Sequence, residues 1–327
     1  MFHVRRGRTR GLAHLSDHVF VAGRRLGTFS ELPADAGPPI VLAHGFCGGR
    51  RLPLLPVTYF RGVEDFLRKQ GYTVLTTEVP PTAPVAVRAR SLRDQIDHWP
   101  LRRGRRVSVL AHSMGGLDAR YAISRLDGDS VISTLLTIAT PHRGSRVADV
   151  LLRTADALHV PRLLGSYGGR LFGRFLAELP DGGRCLGTEA AEEFNLKVGD
   201  SEAVRYLSVG GDRGGTLRTS PELAVSYWYL ALQEGPNDGL VSVRSSRWGE
   251  YLQTLDLDHL HQINFPFPHR WLTGAPSYDE VLQVYAGLAA ASTAEHGRPE
   301  VSRRVTVTVD APQLGRREKD MRNKFTQ

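Results

Sequence analysis

Short apolar runs alternate along this chain with stretches whose apolar positions recur every three or four residues, the two periods that mark buried strands and amphipathic helices. Ile40 to Ala43, Thr73 to Val79, Val107 to Ala111, Val131 to Ala139 and Arg205 to Val209 read as strands. Between them, Val63 to Lys69, Val85 to Trp99 and Met114 to Leu126 read as helices; the second carries Val87, Leu92, Ile96 and Trp99 at helical spacing. His18 to Phe29 predicts a hairpin, and Tyr278 to Ala291 a closing helix. Strands that are apolar throughout and alternate with helices predict an α/β fold, with a mostly parallel central sheet covered by helices on both faces. The alternation breaks over residues 147–193, where leucines and phenylalanines sit among basic residues without a strand pattern; this stretch predicts a helical lid inserted over the sheet. Residues 1–327 are expected to form a single domain, with a basic tail over 296–327.

Composition changes little in that picture. With 327 residues, 41% hydrophobic and 23% charged, the chain can bury a core without disulfide or metal support. The net charge of +8 raises the question of nucleic acid, but the arginines are spread along the chain and no nucleic-acid-binding signature accompanies them, so no nucleic-acid partner is expected. Cys47 and Cys185 lack any CxxC or zinc spacing and are expected to be free thiols. There is no apolar leader and no transmembrane run, which points to a cytoplasmic location.

The chemistry is carried by residues 107–116, Val-Ser-Val-Leu-Ala-His-Ser-Met-Gly-Gly. A predicted strand runs into a predicted helix through a G-x-S-x-G elbow in which Ala111 stands for the first glycine. Such a turn requires small residues two before and two after its apex, here Ala111 and Gly115. It holds Ser113 above the strand ends at a helix N-terminus, whose N–H groups are unpaired. A serine hydroxyl needs a base to become a nucleophile.

Several segments, in order, resemble the bacterial true-lipase (triacylglycerol lipase) family of the α/β-hydrolase superfamily. These are Pro39 to Phe46, the elbow Ala111 to Gly116, Ala139 to Ser145, Asn237 to Val241, and Asp258 to Leu260. The resemblance implies the α/β-hydrolase fold and a carboxylic ester hydrolase, a lipase or esterase. It implies Ser113 as nucleophile, Asp238 as acid and His259 as base, and the backbone N–H groups of Phe46 and Met114 as oxyanion hole. The order Ser, Asp, His is the one this fold requires.

Rivals stand beside each assignment. His261, His269, His112 and His44 compete for the base, with His44 and His112 read as supports of their loops. Asp256 and Asp258 compete for the acid, whereas Asp238 sits in a Pro-Asn-Asp-Gly turn read as a strand end. Cys47 is read as a small buried residue. An acyltransferase, thioesterase or polyester depolymerase could use the same triad, and a hydrolase fold without activity would have lost part of it. The expected partner is an acyl ester, free or at a lipid interface. The family's calcium site is expected to be absent: the residue two after His259 is His261, and between Arg213 and Asn237 there is no aspartate. Its disulfide is likewise doubtful, because Val243 and Ser245 occupy the region where a partner for Cys185 would lie.

Overall fold

The computed structural model describes residues 18–21, 24–28, 39–49, 58–157, 181–266 and 270–294. Strands β1 (His18–Val21) and β2 (Arg24–Thr28) pair antiparallel, as the hairpin pattern predicts. Six further strands form one all-parallel sheet: β3 (Ile40–Ala43), β4 (Val74–Thr76), β5 (Val107–His112), β6 (Ile132–Ile138), β7 (Arg205–Gly211) and β8 (Glu250–Leu255). Their order in space is β4-β3-β5-β6-β7-β8.

Successive side chains of each strand go to opposite faces, and both faces are covered. Ile40, Leu42, Leu110, Leu136 and Leu207 share a cluster with Val63 and Leu67 of α1 (Val63–Lys69) and with Val281, Tyr285 and Leu288 of the helix Tyr278–Thr293. Val41, Val107, Val109 and Ala111 pack on the other side against Leu92 and Ile96 of α2 (Val85–Asp97) and Ala119 and Ile123 of α3 (Met114–Arg125). The helix Tyr278–Thr293 starts at a capping box, in which the Ser277 hydroxyl accepts from Glu280 N and the Glu280 carboxylate accepts from Ser277 N.

Two elements depart from the sequence reading. The apolar pattern carries the second strand of the sheet from Thr73 to Val79, but β4 ends at Thr76. Beyond it, Val79 N–H donates to His44 Nε2 instead of a ladder carbonyl, and Pro80 and Pro81 have no N–H to offer. Asp238 does not end a strand: β7 stops at Gly211, and the chain then forms the helix Ala224–Gln233 before reaching Asp238. Of the stretch 147–193, residues 158–180 lie outside the described residues; α4 (Arg146–Ala157) overlaps its start and the helix Thr188–Lys197 its end. The tail 296–327 also lies outside them. No described helix is long and apolar enough to cross a membrane.

Candidate active site

Ser113 sits between β5 and α3 with φ 55° and ψ −129°, a backbone conformation that disfavours a residue with a side chain. Neighbouring groups hold it there. Its N–H donates to Ile138 O at the end of β6 (2.9 Å), and its carbonyl accepts from the Thr140 hydroxyl (2.7 Å) and from Gly116 N (3.1 Å). The glycines after it allow the close approach: a Cβ on Gly115 would lie 2.6 Å from Ala43 O, and one on Gly116 would collide with Thr140. Ser113 is 8% exposed, at the edge of burial.

The loop after β3 comes alongside because β3 and β5 pair in register, Ala43 opposite Ala111. Parallel neighbours then deliver His44, Gly45 and Phe46 next to Ser113; a Cβ on Gly45 would lie 2.7 Å from Ser113 Cβ. Among the described residues, neither Phe46 N–H nor Met114 N–H has an acceptor, although both flank the serine. The loop's carbonyls face away from it: Arg88 Nη2 takes His44 O (2.8 Å) and Gly45 O (3.2 Å), while Arg88 Nε donates to Asp118 Oδ2 (2.8 Å). Both partners of this ion pair are buried. Burial drives the Asp118 carboxyl up to about 6, against the opposing charge and hydrogen bond of Arg88.

His259 and Asp238 meet across two loops. His259 Nδ1–H donates to Asp238 Oδ2 at 2.8 Å, and the backbone repeats the contact, His259 N to Asp238 O at 2.9 Å. The other carboxylate oxygen, Oδ1, accepts from Leu240 N (3.0 Å) and Val241 N (2.7 Å). The Asp238 loop is in turn fastened to the segment after β6, since Ser145 Oγ donates to Leu240 O at 2.6 Å. Among the described residues, no hydrogen bond closes between the Ser113 hydroxyl and His259, whose Nε2 is left without a partner. Free enzymes often show this looseness before substrate tightens the geometry.

The rivals are occupied elsewhere. His44 Nδ1 bonds Gly45 O and its Nε2 accepts from Val79 N; burial, then the Arg88 charge, depress its pKa to about 4. His112 lies between Tyr59 and Gln262. His261 pairs with Asp258 (2.8 Å), not with Asp238. Asp256, half exposed, pairs with Arg213 and Arg218. His269 lies outside the described residues. Cys47 and Cys185 are unpaired thiols, and burial raises the Cys47 pKa to about 11, far from a ready thiolate. Among the described residues, no group of three or more His, Cys, Asp or Glu could hold a metal ion.

Three participants were not visible in the sequence: Tyr59, Arg88 and Gln262. Each reaches the site through a partner remote in sequence, Tyr59 to His112, Arg88 to Asp118 and Gln262 to Asp238, and none belongs to a motif. Gln262 Nε2 donates to Asp238 Oδ2 (3.1 Å), a second bond on the oxygen that faces His259.

Residues 88–171 match a family model described as "Putative serine esterase (DUF676)". The chain is 34% identical over 222 residues to triacylglycerol lipase 2 of Saccharomyces cerevisiae, a match covering 65% of this chain and 64% of that protein's length. It is 28% identical over 264 residues to a triacylglycerol lipase of Pseudomonas fragi, covering 69% and 87% respectively. A metagenomic carboxyl esterase, MGS0156, superposes with a TM-score of 0.64 at 20% identity, over 79% of this chain and 76% of its own. The fold is that of the α/β-hydrolases. The sequence is similar to triacylglycerol lipases of fungal as well as bacterial origin, so the similarity does not single out the bacterial family.

Proposed function

We propose that this chain is a serine carboxylic ester hydrolase, with Ser113, His259 and Asp238 as its triad. The observation that carries the reading is the strained Ser113 beside the Phe46 and Met114 N–H groups, which have no acceptor among the described residues, together with the bonded His259–Asp238 pair.

In the reaction, the Ser113 hydroxyl adds to the ester carbonyl while His259 Nε2 takes its proton. Asp238, bonded to Nδ1, keeps the imidazole in the tautomer whose Nε2 is free to act as a base, and stabilises the imidazolium that forms. Negative charge develops on the former carbonyl oxygen, between the Phe46 and Met114 N–H groups. Collapse expels the alcohol, which receives the proton from His259. A water molecule then adds to the acyl-serine by the same route and releases the carboxylic acid and the free serine.

An apolar acyl group is the reading for the substrate: Phe46 and Met114, which flank the serine, belong to an apolar cluster with Val85, Leu117, Leu186 and Phe194, and the Phe46 ring lies close to Gly182, at the returning end of the insertion. No metal enters this proposal. Calcium takes several hard oxygen ligands. Where the resembling family would supply one, His261 is bonded to Asp258, and both Asp258 oxygens already accept hydrogen bonds from Ser220, Leu260 and His261. These residues do not fit a calcium ion.

The test is covalent labelling with a fluorophosphonate, followed by mass spectrometry of the labelled peptide, and turnover of p-nitrophenyl esters from acetate to palmitate. The expected label is on Ser113, and Ser113→Ala should lose both label and turnover. Labelling that persists in Ser113→Ala would falsify the assignment. Activity confined to acetate would refute the apolar acyl site.

A further inference from the structure

A row of buried side chains joins the two halves of the site, and the direction of every hydrogen bond in it is fixed. Asp238 Oδ2 only accepts, as does Leu257 O, so the atom of Gln262 that faces both is its nitrogen. Gln262 Oε1 therefore faces His112 Nε2 at 3.1 Å, and that nitrogen carries the proton. His112 Nδ1 is then a bare lone pair, and it accepts from the Tyr59 hydroxyl at 2.7 Å. The Tyr59 oxygen in turn accepts from Gly45 N–H at 3.0 Å. The row runs from Gly45 through Tyr59, His112 and Gln262 to Asp238 and His259. Tyr59, His112, Gln262 and Asp238 are all buried, so no water competes for these groups.

Resting on the triad just proposed, we propose that Tyr59, His112 and Gln262 form a positioning relay. At one end it aims Asp238 Oδ2 at His259. At the other it holds the Gly45 amide, and so the turn that presents Phe46 N–H to the serine. None of the three touches the reacting atoms. The relay works only with a neutral His112, because a second ring proton, on Nδ1, would face the donating Tyr59 hydroxyl in the wrong sense. Burial, and then the neighbouring His259, hold the His112 pKa well below its ordinary value. The two rings lie 4.5 Å apart.

The polarity of the row gives a test that simple packing would not pass. In Gln262→Glu, two carboxyls share the place where one amide donated, and one of them must hold a proton with a raised pKa. While protonated, the introduced carboxyl reproduces the wiring: its O–H donates to Asp238, and its carbonyl accepts from His112. Once that proton leaves, the wiring fails. The titratable groups facing position 262 are Asp238 and His112 across the site, Tyr59 behind His112, Tyr285 (whose hydroxyl donates to the Gln262 carbonyl), and Asp258, His259 and His261 on its own loop.

The experiment measures kcat and KM on a p-nitrophenyl ester from pH 5 to 9 for the wild type, Gln262→Glu, Gln262→Ala and Tyr59→Phe, each checked for folding by circular dichroism. Gln262→Glu should keep kcat near wild type at the acid end and acquire a descending alkaline limb. Gln262→Ala and Tyr59→Phe should lose kcat by roughly 10- to 100-fold, with KM within about twofold and no new limb. Gln262→Glu and Gln262→Ala sharing one profile shape, or Tyr59→Phe keeping full kcat, overturns the relay. Should Gln262→Glu not fold, Tyr59→Phe decides alone. Ser113→Ala, run in parallel, separates a failed relay from a failed triad, since only the latter leaves that variant active.

Discussion

Asp258 stands directly before the proposed base, and its replacement by asparagine is the sharpest stability test the structure offers. Its carboxylate is fully buried and accepts five hydrogen bonds. Ser220 N (2.9 Å), the Ser220 hydroxyl (2.7 Å) and His261 Nδ1 (2.8 Å) bind Oδ2; Leu260 N (3.2 Å) and His261 N (2.9 Å) bind Oδ1. Burial alone would raise its pKa. The bonds and charge of His261, and then the bond from Ser220, outweigh it and leave the carboxyl at about 2, down from 3.8. That depression is linked to roughly 2 kcal/mol of folding stability at neutral pH. A folded-state pKa below the unfolded value means that this stability is present above about pH 4. It is lost as pH falls through the folded value, with about half gone by pH 3. Asparagine removes the charge and turns an NH2 toward groups that all donate, so Asp258→Asn should cost about 2–4 kcal/mol at pH 7. Urea unfolding followed by tryptophan fluorescence would read this as a lowered midpoint, with the gap to wild type narrowing between pH 5 and pH 3. An unchanged midpoint, or a gap constant across that range, refutes the reasoning. Added calcium or a chelator should move neither protein.

Four other substitutions separate position from chemistry. Asp238→Asn should lower kcat by about 10³–10⁴-fold on an ester substrate by upsetting the His259 tautomer, whereas Asp256→Asn, which loses only its pairing with Arg213 and Arg218, should change stability but not turnover. Gly115→Ala places a methyl against Ala43 O and His44 O, so α3 must move off the end of β3; a melting curve should show about 1–3 kcal/mol of destabilisation, and kcat should fall with it. Thr140→Val removes the donor to Ser113 O and should cost about 1 kcal/mol in urea titration, with a smaller fluorophosphonate labelling rate.

The parts of the molecule legible in the sequence are those decided by local pattern. β3 and α1 begin and end where the apolar pattern begins and ends, and β5, α3 and the helix from Tyr278 match to within a residue or two, because each buries an uninterrupted run or a single stripe. β8 gave no such signal: it lies at the sheet's edge and buries only Leu255 of its six residues. The helix Ala224–Gln233 was also hidden, because its apolar residues cover more than the buried face and leave Val225, Trp228 and Leu232 exposed. For the site, motifs singled out Ser113, His259 and Asp238, while Gln262 and Tyr59 owe their places to contacts across 24 and 53 residues that no local pattern encodes.

The conformation of Ser113 has a consequence for the balance between endurance and turnover. At φ 55° and ψ −129° the residue occupies a region open to glycine and costly, by about 1–3 kcal/mol, to anything with a side chain. Ser113→Gly should therefore relieve that cost, less the roughly 0.5–1 kcal/mol that glycine's added freedom returns to the unfolded chain. With the triad proposed above, Ser113→Gly is thus expected to be sturdier and inert, so that selection for thermal resistance without a demand for turnover would act against the proposed nucleophile.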